Sequence, residues 1–241
     1  MNRPFSPAKA TLFAAIITAS LVSGCQDQGQ VTAMAWGEGF IEDGIDASEV
    51  GDGWRIDFDT FVVSFSDVSL DGQSLGGGKP VDLTLLTNGV GQPLLNATVQ
   101  AGDYTSPGFV IERVQITGAA TKAETTKRFG WTFDVPTQYD GCEAEVAVSA
   151  DQPGSFQATV HADHLFYNSL VSENPDVLFG ALADADTDGD DQITQAELAA
   201  TGLGSYDGGS EGDVNDLWAF LVAQSRTLGH INGEGHCDIV R

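Results

Sequence analysis

The stretch "WRIDFDTFVVSF" at residues 54–65 alternates apolar with polar side chains, which is the period of a strand that buries one face. "FVIERVQITG" at 109–118 shows the same alternation, and "FGWTFDV" at 129–135 continues it. Clusters of Gly, Asp, Asn and Pro separate these runs at short intervals, as they do in β-sandwiches and barrels. We therefore predict a β-sandwich over residues 35–162.

The chain changes character after residue 162, where helical signals replace the alternation. "NPDVLFGALADA" at 174–185 begins with an Asn–Pro pair suited to a helix cap and first turn. The segment 213–229 places apolar residues at helical spacing and ends in glycine. We expect a smaller α-helical region over 163–241, which makes the whole chain mainly β and α+β in class.

The composition is strongly acidic. The 241 residues include 35 acidic and 10 basic side chains, for a formal charge of −25, and 41% are hydrophobic. That hydrophobic share is enough for a packed core. The negative charge argues against nucleic acids and anionic membrane surfaces as partners, because both would repel the protein.

The N-terminus has the layout of an export signal. Residues 1–24 carry basic side chains, an apolar run and then small residues. The ending "LVSGC" resembles the lipobox of bacterial lipoproteins, which implies that Cys25 is diacylated and becomes the first mature residue. An ordinary signal peptide with a chance cysteine is the alternative. Gln26, where some lipoproteins carry aspartate, implies the outer membrane, on its periplasmic or surface face, and we expect 25–34 to be a tether.

One further resemblance lies inside the predicted sandwich. "LLTNGVGQPLLNATVQAGDYTS" at residues 85–106 weakly resembles a bacterial lipoprotein β-sandwich domain that carries a similar "NG…AGxYT" pattern. It covers only some tens of residues. It implies a fold and no activity.

With Cys25 assigned to the lipid, Cys142 and Cys237 remain, and in an oxidising compartment they are expected to form a disulfide. Residues 142–150 and 155–162 flank "DQPG" and are predicted to pair as a hairpin. Matching their apolar faces brings the first cysteine close to the end of the second strand. The disulfide would then link the helical region back to the sandwich.

The acidic run "DADTDGDDQITQAEL" admits two frames for a calcium loop. A frame starting at Asp184 puts Gly189 at position 6, but it lacks the apolar residue at position 8 and the closing carboxylate at position 12. A frame starting at Asp186 places Ile193 at position 8 and Glu197 at position 12. The second frame therefore fits.

In this frame "DTDGDDQITQAEL" resembles the loop of the EF-hand calcium-binding family. Position 6 holds Asp191 where the family usually has glycine, and aspartate tolerates the left-handed conformation better than most residues. The resemblance implies a single site that binds Ca²⁺ through Asp186, Asp188, Asp190, Gln192 by its backbone carbonyl, Thr194 directly or through water, and Glu197.

The four histidines bracket the helical region in two pairs, His161 with His164 and His230 with His236. Neutral imidazoles are common ligands of zinc and copper, and Asp163, Glu234 and Asp238 are nearby carboxylates that can complete or orient a site. In a continuous strand the first pair would point to opposite faces, so both bind one ion only if the chain leaves the strand after His161. The competing interpretation is that the histidines cap helices, pair with carboxylates or decorate turns.

The sequence predicts a non-enzymatic, calcium-binding lipoprotein of the cell envelope, in which calcium braces the helical region and the histidines hold Zn²⁺ or Cu²⁺. One alternative is a zinc-dependent hydrolase built on the histidines, although no HExxH motif is present. The other is an adhesion or assembly module that calcium makes rigid. The membrane is the one expected partner, through the lipid on Cys25.

Overall fold

The computed structural model describes residues 27–210 and 212–240. It confirms the predicted class: the chain is mainly β, with large sheets and a small helical part. The predicted signal and Cys25 lie outside the described residues. Within the described part, none of the helices has the length and apolar character needed to cross a bilayer.

Short strands dominate the element order. The strands are β1 (Gln28–Trp36), β2 (Arg55–Leu70), β3 (Gln73–Gly76), β4 (Val81–Asp82), β5 (Gln92–Gln100), β6 (Gly102–Tyr104), β7 (Pro107–Lys122), β8 (Thr125–Phe133), β9 (Thr137–Asp140), β10 (Val146–Val148), β11 (Gly154–Val160), β12 (Gln192–Ile193), β13 (Gly229–Ile231) and β14 (Asp238–Val240). The helices are α1 (Glu38–Glu42), a 3₁₀ helix (Asp163–Phe166), α2 (Gly180–Ala183), α3 (Gln195–Ala200) and α4 (Leu217–Gln224).

The described residues form three sheets, of which the two larger ones enclose one hydrophobic core and the third is the pair of β6 and β10. The larger sheet is built on β2, which pairs antiparallel with β7 along nearly its whole length, and β8 extends it on the far side of β7. The smaller sheet has the order β13-β11-β1-β5. Alternate residues of each strand point inward, so Phe61 and Val63 of β2 meet Val31 and Ala33 of β1 in the same buried cluster.

The tether predicted over residues 25–34 is wrong from residue 28 onward. Residues 28–36 form β1, which lies between β5 and β11 in the smaller sheet. Val31, Ala33 and Ala35 are fully buried there. The strand was not predicted because the segment begins with polar residues and its buried side chains are mostly small.

The predicted hairpin between residues 142–150 and 155–162 does not form. β10 pairs with β6, whereas β11 pairs in parallel with β1 on one edge and antiparallel with β13 on the other. Both hydrogen-bonding edges of β11 are therefore occupied. β10 instead packs its side chains against the start of β11, where a Cβ on Gly154 would lie within 2.9 Å of Val146 and Val148.

The region 163–241 is not a separate helical unit. It contributes β13 to the smaller sheet, and β12 and β14 to the larger one. Its helices are short, since α2 covers only 180–183 of the predicted 174–185, and α4 covers 217–224 of the predicted 213–229. Leu182, Leu198 and Leu221 join the same core as the sheets.

The sulfur atoms of Cys142 and Cys237 lie 2.01 Å apart, the bonding distance of a disulfide. A register different from the predicted one brings them together, because β14 pairs with β9 and places Asp238 opposite Asp140. The Glu143 N–H also donates to the His236 carbonyl at 2.9 Å. The C-terminal segment is thus fastened to the sheet next to the last histidine.

Asp52 caps α2 across a long sequence separation. Its Oδ2 accepts the N–H of Phe179 at 3.1 Å and that of Gly180 at 2.6 Å. Replacing Asp52 with alanine is expected to lower the free energy of unfolding by about 2 kcal/mol, because two buried N–H groups lose an ionised acceptor. Chemical denaturation measures this loss, and Asp52→Asn should lose less because it keeps one acceptor oxygen. Equal stability of wild type and Asp52→Ala would contradict the assignment.

Candidate metal centres

Strand register brings Glu38 and His161 together. They belong to a cluster that we call the histidine centre, which consists of the four histidines and the carboxylates of Glu38, Asp163 and Glu234. β1 and β11 are parallel neighbours with Trp36 opposite Thr159, and β13 pairs with β11 so that His230 is also opposite Thr159. Side chains two residues apart on a strand share a face. Glu38 and His161, each two residues further along, therefore meet just beyond the strand ends.

The 3₁₀ helix allows His161 and His164 to share one site, although in a continuous strand they would point to opposite faces. β11 ends at Val160, and the helix begins at Asp163, so the chain leaves the strand as the shared site requires. The rings of His161 and His164 lie 5.4 Å apart between centroids. Both therefore face the same side, although three residues along a strand would have separated them.

A tight turn supplies the remaining donors. Asn232 and Gly233 have positive φ angles of 50° and 88°, and two hydrogen bonds between Ile231 and Gly235 close the turn. The turn is fixed to β11, since Asn232 Oδ1 accepts the N–H of Gln157 at 2.9 Å. It is the "NG" of "HINGEGH" that folds His230, Glu234 and His236 back toward the end of β11.

The four imidazoles form one contiguous cluster. The His161 and His230 centroids are 4.3 Å apart, His164 and His230 5.2 Å apart, and His230 and His236 5.6 Å apart. The donor atoms of His161, Asp163 and His164 lie within 4.8 Å of one another. The structure thus gathers the four predicted rings, but among the described residues only His161 and His164 belong to donor groups close enough to share an ion, and His230 and His236 belong to none.

Several candidate metal ligands are held by a hydrogen bond at one atom and keep a second atom free to bind a metal. His164 Nδ1 lies 2.8 Å from the carbonyl of Thr227, which can only accept, so Nδ1 carries the proton and Nε2 carries the lone pair. The hydroxyl of Tyr167 donates to Asp163 Oδ2 at 2.7 Å, while Asp163 Oδ1 is buried without a hydrogen-bond partner in the described structure. His230 Nδ1 is likewise buried and unpartnered there. Such outer contacts typically orient metal ligands.

Burial sets the charge state of the rings. It lowers the pKa of His230 to about 4, with the neighbouring His161 as the next cause, and it lowers the pKa of His164. Both rings are therefore neutral at pH 7. A neutral imidazole is the form that binds metal, so this centre needs no deprotonation of these two rings at neutral pH.

Sequence reasoning named some residues of this centre and missed others. Asp163 and Glu234 are in it, but Asp238 lies in β14 opposite Asp140 and belongs to none of the donor groups. Glu38 and Tyr167 were missed. The position of Glu38 depends on the pairing of β1 with β11, and no local pattern carries that information.

The acidic loop has the shape that the EF-hand frame requires at its start. Oxygen atoms of Asp186, Asp188 and Asp190 lie within 4.8 Å of one another. Asp186 is the inner member, because its side chain is fully buried and its Oδ1 accepts the N–H of Gly189 at 2.9 Å. Ile193, the predicted apolar residue, is buried.

The closing end of the loop is a helix cap. Glu197 Oε2 accepts the N–H of Thr194 at 2.9 Å, and Thr194 Oγ1 accepts the N–H of Glu197 at 3.3 Å, which is a capping box for α3. Glu197 Oε1 accepts the N–H of Thr187 at 3.0 Å and so ties the cap to the loop. The Thr194 hydroxyl and the Glu197 carboxylate are thereby positioned beside the loop, whereas Gln192 is exposed in β12.

The loop is fastened to the larger sheet by backbone and by charge. β12 pairs in parallel with β8, and Trp131 Nε1 donates to the carbonyl of Ile193 at 3.0 Å. Lys127 Nζ lies 2.5 Å from Asp186 Oδ2 and 2.8 Å from Asp191 Oδ1. Hydrogen bonds donated to these two carboxylates raise the pKa of Lys127, so a protein cation contacts the first loop carboxylate at physiological pH.

Asp191 adopts the conformation that the frame demands, with φ of 64°. Asp191→Gly should unfold with a free energy about 1 kcal/mol higher than Asp191→Ala, because alanine is strained in the left-handed region and glycine is not. Both variants remove the carboxylate that contacts Lys127, so their difference isolates the backbone. Urea denaturation of the two variants without calcium measures it, and equal stabilities would argue against strain here.

The two cavities described in the structure are lined by no histidine, although the second reaches Thr227, whose carbonyl lies 2.8 Å from His164 Nδ1. One is lined by residues of β8 and β12 together with Asp59, and the other lies along α4 beside Trp218 and Arg226. Neither includes a donor of the histidine cluster. No protein-family model, curated protein or solved structure matches the chain.

Proposed function

We propose that this chain is a non-enzymatic metal-binding lipoprotein of the cell envelope, which holds Zn²⁺ or Cu²⁺ at the histidine centre and Ca²⁺ in the loop of residues 186–197. The transition metal is the functional cargo or cofactor of the protein. Calcium is a brace that orders the segment around the loop.

One observation carries the proposal for the histidines. His164 and Asp163 are each held by a neighbour at one atom and present the other to the cluster, while Asp163 Oδ1 and His230 Nδ1 are buried without a partner. Burying such atoms unpaired is costly, whereas an ion bound by His161, Asp163 and His164, whose donor atoms lie within 4.8 Å of one another, would satisfy Asp163 Oδ1. Imidazole nitrogens with a carboxylate oxygen are the donor set that zinc and copper(II) accept.

The calcium proposal is supported by the clustering of the loop carboxylates and by the positive φ of Asp191 at position 6. Clustered carboxylates repel one another, and a divalent cation removes that repulsion. The loop sits between the larger sheet and α3, so calcium there would stabilise both attachments.

The proposed lipid on Cys25 would orient the histidine centre away from the membrane. β1 begins at Gln28, three residues after the cysteine, and the centre lies just beyond its other end at Trp36. Nine residues of strand span roughly 30 Å. The metal would thus be presented at the far pole of the molecule, which suits a binding role.

Metal analysis of untagged protein tests the proposal. Protein purified without a His tag is exposed to Zn²⁺ or Cu²⁺ in the presence of millimolar Ca²⁺, dialysed and analysed for bound metal. We expect at least about one equivalent of zinc or copper per chain and a higher melting temperature, because a ligand that binds the folded state stabilises it. Less than about one equivalent of either metal would refute the transition-metal part of the proposal.

A further inference from the structure

The histidine cluster holds more donors than one ion takes. Four imidazoles and three carboxylates converge there, whereas zinc takes four or five ligands. Five of these seven residues form two groups of three that share His161, and within each group one donor atom per residue lies within 4.8 Å of the others. One group is His161, Asp163 and His164, and the other is Glu38, His161 and Glu234.

The second group comes from three separate segments. Glu38 begins α1 after β1, His161 follows β11, and Glu234 lies in the turn after β13. His161 Nε2 is 3.6 Å from Glu38 Oε1, too far for a hydrogen bond but suited to two ligands of one ion. The same nitrogen lies 3.4 Å from the Gly233 carbonyl, so an ion bound there replaces this long hydrogen bond. His161 is only 7% exposed, and Glu234 is exposed, so the group has a buried side and an open side.

Lysine and arginine supply no counter-ion at this position in the described part of the chain, and the one basic side chain beside Glu38 is the His161 imidazole. Within residues 27–210 and 212–240, no lysine or arginine forms an ion pair with Glu38, Asp163 or Glu234. Glu38 is repelled by both of the other carboxylates. Three carboxylates around one buried imidazole favour cations, and a single divalent ion does not neutralise all three.

Glu38 is held in a strained conformation. Its φ is 55°, a region that residues other than glycine seldom occupy. The residue before it is closely packed, because a Cβ on Gly37 would lie 2.8 Å from Leu83 Cβ and 2.9 Å from Ile41 Cβ. Strain of this kind persists where the fold over-determines it, and it collects at ligand sites.

We propose that a second divalent cation binds between Glu38, His161 Nε2 and Glu234, next to the ion held by Asp163 and His164, so that the centre is dinuclear. The inference rests on the proposed function of the histidine cluster as a metal site. His161 serves both ions, since the two nitrogens of an imidazole can each bind a metal, and the ring N–H proton passes to solvent when the second ion binds. Two carboxylates and one imidazole suit zinc, manganese or iron(II).

Zinc stoichiometry tests the second position. Untagged protein is titrated with Zn²⁺ by calorimetry and by equilibrium dialysis, with millimolar Ca²⁺ present to occupy the acidic loop. We expect about two equivalents for the wild type. Glu234→Gln should bind about one equivalent, with the affinity of the remaining ion within about threefold of the tighter wild-type site, because the first group of donors is intact.

Glu38→Gln is the second variant and should give the same result, provided that its circular dichroism matches the wild type. Glu234 lies exposed in a turn, so its variant keeps the test decisive even where Glu38→Gln fails to fold. Saturation of the wild type at one equivalent, or two equivalents in Glu234→Gln, would overturn the second position and leave the proposed function standing. A wild type that binds no zinc would refute both, and it is distinguishable from either result.

Discussion

Replacing His164 with alanine is expected to raise the dissociation constant for zinc at the tighter site by at least about 100-fold. His164 presents Nε2 because its Nδ1–H is donated to the Thr227 carbonyl, so alanine removes an oriented donor. Loss of a residue that merely orients a ligand typically costs 10–100-fold in metal affinity, and loss of a ligand costs more. Competition with a chromophoric zinc chelator, in millimolar Ca²⁺, measures the dissociation constant.

A graded series distinguishes ligand loss from general damage. Tyr167→Phe removes the hydroxyl that holds Asp163 Oδ2 and should weaken zinc binding by about 10-fold or somewhat more. Tyr104→Phe is the matched control, because its hydroxyl donates to the Gln100 carbonyl and contacts no histidine. The control should bind zinc as the wild type does.

The order of zinc affinities among the three variants distinguishes loss of a ligand from general damage to the fold. Affinity should fall from Tyr104→Phe through Tyr167→Phe to His164→Ala, while the melting temperatures measured with a chelator stay close together. If His164→Ala binds zinc as tightly as the wild type, the ion is bound elsewhere, for example by the acidic loop. The histidine centre would then be a set of packed side chains without a metal role.

The β-rich body of the fold could be predicted because its signal is local. The alternation in 54–65 and 109–118 gives β2 and β7 directly, and these two strands pair along nearly their whole length. β1 was missed because its buried residues are mainly small and its first residues are polar. The pairing of β11 was missed because a short turn favoured a hairpin with its sequence neighbour, whereas both of its edges are taken by distant strands.

The two candidate sites also differ in how local their sequence signal is. The acidic loop is a continuous stretch, so its resemblance to the EF-hand loop could point to a left-handed conformation at Asp191 and an apolar residue at position 193; Asp191 has positive φ and Ile193 is buried. The histidine centre is assembled from three segments, and spacing alone gave only its pairs. Glu38 joins it through a parallel strand register that no short motif encodes.

The sequence shows how many charged residues the chain has, but it does not show which of them form ion pairs. The excess of acidic residues is visible in the sequence, but the placement of Lys127 against Asp186 and Asp191 depends on β8 running beside β12. This contact gives the loop a cation of its own when calcium is absent. Calcium must therefore compete with an ammonium group at Asp186.

Removing the closing carboxylate of the loop is expected to abolish most of the stabilisation that calcium provides. Saturating the wild type with Ca²⁺ at about a hundred times its dissociation constant should raise the melting temperature by roughly 5–10 °C over the value in EGTA. Glu197→Gln should retain only a small fraction of this rise, because an amide cannot supply a bidentate carboxylate. Differential scanning calorimetry with and without EGTA measures both shifts.

The comparison in EGTA shows that the effect acts through calcium and not through folding. Glutamine keeps an amide oxygen that can accept the N–H of Thr194, so the capping box of α3 survives and the variant should melt close to the wild type when no calcium is present. Glu173→Gln, an exposed change outside the loop, should keep the full calcium response. A wild type whose melting temperature ignores calcium would refute the calcium site. An equal calcium response in wild type and Glu197→Gln would place the calcium on carboxylates other than this loop.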